Sequence, residues 1–179
     1  MTTRLPARAF TREEMMRRVA MFSDLKGFSS GFSDTLVPNT HRTLYNVMGF
    51  TPPPNGERSP VGADAARNCA IQVAEGFNLA YVRCKPGNGP VMHNHDTSET
   101  FIPMTGRWRC SWNEDDTMHV EVGPFDLVSF PPGAARRFEN ITQGEPDATH
   151  VLMVIVSGNA PVAETTERAQ ALIRQYTPA

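Results

Sequence analysis

His93, His95 and Glu99 are the residues of this chain best spaced for metal chemistry. They lie in Gly87-Asn88-Gly89-Pro90-Val91-Met92-His93-Asn94-His95-Asp96-Thr97-Ser98-Glu99, and Gly106 follows. On a β-strand, residues two apart point to one face, roughly 6–7 Å from each other. Both imidazoles can therefore converge on one ion, and a carboxylate from the next stretch can complete a facial set of three. Two histidines and one carboxylate, with positions left open, form the donor set of mononuclear non-haem Fe(II) oxygenases. An isolated His-x-His is as readily a pair of surface histidines on a loop. The glutamate and the flanking glycines weigh against that alternative here.

From Gly87 to Gly106 the segment resembles the first signature motif of the cupin superfamily at every fixed position. The family's second motif has the core Pro-x-Gly, two residues, His, three residues, Asn. Here Pro131-Pro132-Gly133 is followed by Ala134, Ala135, Arg136 and, four further on, Asn140. Arg136 thus stands where the resemblance expects a histidine, and Gly123 lies two residues earlier than the family's leading glycine. The resemblance covers about residues 75–157. It implies an all-β fold: a small antiparallel β-barrel (a double-stranded β-helix, or jelly roll) with a metal or ligand site inside. It further implies a divalent transition metal (Fe, Mn, Ni or Zn) held by His93, His95 and Glu99, and a homodimer.

Arginine has five donors, no acceptor and no accessible neutral form, so Arg136 cannot replace a histidine ligand. An inward Arg136 beside a divalent ion would leave positive charge in a partly dry pocket, which is expensive. That argues for a bound anion: a small acidic molecule on the open metal positions, paired with Arg136 as a clamp. The alternatives are that Arg136 turns outward, that it pairs with a nearby carboxylate, or that the site has lost its metal. In the last case His93, His95 and Glu99 would be polar pocket residues.

The elements that must position these groups follow from periodicity. Short segments with turn signals between them predict strands over 70–74, 78–85, 91–95, 99–104, 108–113, 118–122, 127–130, 135–140 and 149–157. Parity puts Glu99 with Phe101, and Trp108 with Cys110 and Trp112. It puts Arg136 with Phe138, and Tyr81 with Arg83. Trp108, Phe138, Phe101 and Tyr81 are therefore candidate walls of a substrate pocket, with Arg136 as the catalytic candidate. His150 and His41 are open as a fourth ligand, while His119 follows an acidic hairpin and is expected to be exposed.

Flanking the strands, Thr11 and Glu14 form a capping box, and the spacing predicts a helix over 11–22. Residues 41–50 alternate weakly as a strand, 51–60 form a Pro-rich loop, and 163–176 read as a helix. This organisation gives an N-terminal extension over 1–67, the barrel over 68–157 and a C-terminal helix over 158–179.

The chain has 179 residues, a net charge of −2 and three cysteines without a Cys-x-x-Cys pair. These features point to one domain with extensions, reduced thiols and a cytoplasmic location, with no nucleic-acid footprint. No apolar run is long enough for a membrane span. The leading expectation is a metal-dependent enzyme acting on a small organic acid or aromatic, with oxygenase-type chemistry ahead of isomerase or decarboxylase. The alternative is a non-catalytic small-molecule-binding protein, a sensor or carrier, with or without metal.

Overall fold

The structure, a computed structural model, describes residues 6–49 and 63–178. Eleven strands among them make two antiparallel sheets. One sheet orders its strands β1 (Gly27–Phe28), β2 (Thr43–Met48), β3 (Phe77–Cys84), β10 (His150–Ser157), β5 (Glu99–Pro103) and β8 (Val128–Phe130). The other orders β11 (Ala163–Thr165), β4 (His93–His95), β9 (Arg136–Asn140), β6 (Trp108–Trp112) and β7 (Met118–Val122). The result is the jelly roll that the motif resemblance implies, built from the short, turn-punctuated strands that the periodicity predicts.

Alternation decides which side chains fill the space between the sheets. On β10, Leu152, Val154 and Val156 are buried while their neighbours are part-exposed; on β5, Glu99, Phe101 and Pro103 are buried. On β9 the buried set is Arg136, Phe138 and Asn140. Phe101, Phe130, Phe138 and Trp108 meet through ring centroids 5.2–5.7 Å apart at steep angles, the arrangement that aromatic quadrupoles favour. They form the middle of the core with Val82, Cys84, Cys110 and Leu152.

Close approaches explain two of the glycines. A Cβ on Gly89 would sit 1.8 Å from the Phe138 carbonyl oxygen. Gly106 has φ +74°, and a Cβ there would meet the His150 ring and Thr142 at 2.5 Å.

The predicted strands all appear except 70–74, where only Ile71 bridges Met48. The N-terminal helix is shorter than predicted. Thr11 and Glu14 do form the capping box, but α1 spans only Arg12–Met16. Met15, Met16 and Val19 remain exposed, and Phe22, which contacts Tyr45 and Tyr81, sits in a separate turn, so no packing extends the helix beyond what its cap supports. A single 3-10 turn at Phe22–Asp24 follows, and a further short helix, α2 (Ala63–Arg67), precedes β3. The C-terminal helix starts later than predicted. Ala163–Thr165 pair with β4 as β11, Thr166 caps the helix, and α3 spans Glu167–Tyr176. The Pro-rich stretch 51–60 lies outside the described residues.

The N-terminal strands extend the six-stranded sheet at β3 rather than forming a separate layer. Asp34, in the turn-rich segment before β2, is buried. It accepts two hydrogen bonds from Arg42 and one from the Val91 backbone. That network ties the extension to the segment leading into β4.

Candidate metal centre

His93 and His95 come from β4, Glu99 from the start of β5, and Arg136 from the start of β9, directly opposite His93 in register. The ligand atoms of His93, His95 and Glu99 lie within 4.8 Å of one another. His95 Nε2 is 3.6 Å from Glu99 Oε1, and His93 Nε2 is 3.9 Å from Glu99 Oε2. Metal bonds to such donors are about 2.0–2.2 Å, so ligand atoms around one ion stand roughly 3–3.5 Å apart. The three groups need only small adjustments to close on an ion.

The ring orientation fits as well. His93 Nδ1 lies 2.9 Å from the Val91 carbonyl oxygen, which can only accept. Nδ1 therefore carries the proton, and the Nε2 lone pair faces the cluster. This backbone contact is the usual device for orienting an imidazole ligand. Burial pushes the His93 imidazole down to about 4, with Glu99 partly offsetting. Burial, reinforced by the Arg136 charge, pushes His95 down to about 3. Both rings are neutral at pH 7, the form that ligates metal.

Arg136 faces inward and is completely buried. Its Nε donates to Glu99 Oε2 at 2.8 Å, and Nη1 donates to the Ala134 carbonyl at 3.0 Å. Nη2 is buried without a partner. Of the arrangements open for Arg136, pairing with a nearby carboxylate is the one present, and the carboxylate is that of Glu99, a candidate ligand.

The other sequence candidates fall in different places. Phe101 is two residues from Glu99 on the same face and packs on Phe138, itself two residues from Arg136. Trp108 faces inward, but it pairs with Asn140, at the end of β9 away from Arg136. Four residues along a strand is about 13 Å. The indole is fully buried and donates to the Thr105 carbonyl, so it belongs to the core rather than to the edge of the cluster. Trp112, on the same face, is the residue in register with Arg136.

Tyr81 lies on the opposite face of β3 from Val82 and Cys84. Its ring packs on Phe22, outside the sheet interior. Arg83 shares that outer face and donates to Thr149. His150 is buried, but it lies six positions from Val156, the partner of Glu99, about 20 Å along the strand. It therefore supplies no fourth ligand. His41 and His119 are exposed.

No protein-family model and no curated protein matches the sequence. Solved structures do. A cupin-2 domain protein from Rhodospirillum rubrum superposes with TM-score 0.54 at 15% identity, covering 88% of this chain and 86% of that one. A cupin-superfamily sugar phosphate isomerase from Silicibacter pomeroyi superposes with TM-score 0.51 at 16% identity, covering 82% and 80%. The oxalate decarboxylase of Lactobacillus farciminis, solved as a formate complex, gives TM-score 0.53 at 14% identity. There the match covers 83% of this chain and 36% of the enzyme. The structural neighbours are thus cupin superfamily proteins, and the fold is the cupin jelly roll.

Proposed function

We propose that this chain is a metal-dependent enzyme acting on a small organic acid or acidic aromatic, with oxygenase-type chemistry as the leading reaction class. One observation carries the proposal: two imidazoles and one carboxylate converge beside a buried guanidinium that keeps one unmatched donor. The fold itself hosts unrelated activities, so the argument rests on these residues.

In this reading His93, His95 and Glu99 hold the ion, whose identity among Fe, Mn, Ni and Zn the donor set leaves open. A bound ion of this kind supplies Lewis acidity and open positions for substrate and O₂. The chain's own residues do the rest. Val91 fixes the His93 tautomer. Arg136 fixes the Glu99 carboxylate and offers Nη2 to a substrate anion, a charge-assisted hydrogen bond. Phe101 and Phe138 provide the apolar floor. The names of two fold neighbours, an oxalate decarboxylase and a sugar phosphate isomerase, refer to anionic substrates, which agrees with this substrate class.

Elemental analysis of protein purified without chelator tests the metal. We expect near-stoichiometric Fe, Mn, Ni or Zn, lost in His95→Asn. Oxygen uptake by the Fe(II)-loaded protein across a panel of small acids then tests the reaction class. The Glu99–Arg136 pair also favours a second reading, because it satisfies the carboxylate without any ion. That reading is a metal-free binding protein for small anions. Tight ligand binding by calorimetry with no metal and no turnover would select it.

A further inference from the structure

We propose that Arg136 is an internal counter-ion that competes with the metal for Glu99, so that a divalent ion binds tightly only together with an anionic ligand. The proposal rests on the metal reading above and concerns how that site is controlled.

The geometry is specific. Glu99 Oε2 accepts from Arg136 Nε at 2.8 Å and faces His93 Nε2 at 3.9 Å. The oxygen on the His93 side of the cluster is therefore already engaged by a cation. Arg136 is pinned from its other side by the Ala134 carbonyl, so it cannot leave without breaking a second hydrogen bond. Among the described residues the cluster contains one carboxylate.

Glu99 and Arg136 form a buried ion pair at 2.8 Å, so their charges cancel. A divalent ion then adds two uncompensated charges to a buried site. Isolated charge in such a place is strongly disfavoured. An anion removes the difficulty in two ways: it neutralises the ion, and it can accept from the buried, unmatched Nη2 of Arg136. The metal and a carboxylate ligand should therefore bind cooperatively, each raising the other's affinity by the same factor.

The size of the effect follows from charge repulsion. A guanidinium held 2.8 Å from one Glu99 oxygen repels a divalent ion at the same carboxylate, so a shift of about tenfold or more is expected.

The test compares Mn(II), Ni(II) and Zn(II) binding to the full chain by calorimetry, in a buffer free of coordinating anions and again with millimolar acetate. Acetate is a suitable probe because it complexes these ions only weakly in solution. In the wild-type protein, we expect acetate to tighten metal binding about tenfold or more. Arg136→Gln should bind metal about tenfold more tightly than wild type without acetate, and should respond less to acetate. Circular dichroism checks that the variant folds; if it does not, the wild-type acetate shift decides alone.

An acetate-independent wild-type affinity overturns the proposal. So does an Arg136→Gln variant that binds metal equally or more weakly without acetate. That second result, combined with an acetate shift in wild type, would make Arg136 a ligand clamp and not a competitor. Failure of both proteins to bind any of the three ions, with or without acetate, overturns the metal reading itself.

Discussion

At the scale of single residues, burial governs the thiols as it governs the histidines. Cys84 and Cys110 lie in the core, and burial pushes each thiol up to about 12 from an ordinary 9. A group whose folded-state value is raised favours its protonated form in the native state. The stability it contributes is complete below about pH 9 and is lost as pH rises towards 12. We therefore expect the urea midpoint to fall steadily between about pH 9 and 12, and both thiols to resist a disulfide reagent at pH 8 in the native state. Rapid native labelling of Cys84 would contradict the packing around it.

The residue scale also marks where the sequence could be read and where it could not. Spacing within one segment brought out His93, His95 and Glu99, because strand parity is a local property. The partner of Arg136 needed the register of β9 against β4 and the fold of β5 beneath it, and register is set by long-range pairing. Trp108 illustrates the same limit. Its inward direction followed from parity, but its depth along the core did not.

Among the elements, strands were legible because each alternates and ends in a turn signal. β11 was not. Ala163-Glu164-Thr165 carries no apolar alternation, and it is a strand only because it covers the free edge of β4. The segment before β2 was legible only as turn-rich, since the role of Asp34 depends on Arg42 and on a backbone N–H from the distant Val91. Both side chains of that ion pair are largely buried. Removing one partner of such a pair typically costs about 3–5 kcal/mol. Asp34→Ala should lower unfolding stability by about that amount in urea titration, whereas Glu13→Ala, in an exposed pair, should change it by under about 1 kcal/mol. Equal effects would mean that the Asp34 network does not anchor the extension.

For the whole molecule, the exposed apolar surface raises the question of self-association. Met118 and Val120 are exposed on β7, the outer strand of its sheet, and Phe125 and Leu127 follow in the next loop. Phe10, Met15, Met16, Met21 and Phe22 are exposed in the N-terminal segment. An edge strand with uncovered apolar side chains is a natural pairing surface. We expect a homodimer: light scattering at micromolar concentration should give twice the chain mass, and Val120→Lys should reduce it. A wild-type monomer would exclude the dimer. No helix among the described residues is long and apolar enough to cross a membrane.

The pairing of β11 with β4 has a consequence for the order of synthesis. The strand bearing both histidines touches β9 through a single register pair, and its other edge is completed by residues 163–165. As the chain leaves the ribosome, His93, His95, Glu99 and Arg136 emerge before the strand that covers the edge of β4. The frame of this cluster is therefore complete only once residues 163–165 are available. A nascent chain stopped before residue 163 would carry all four side chains without the strand that closes that edge.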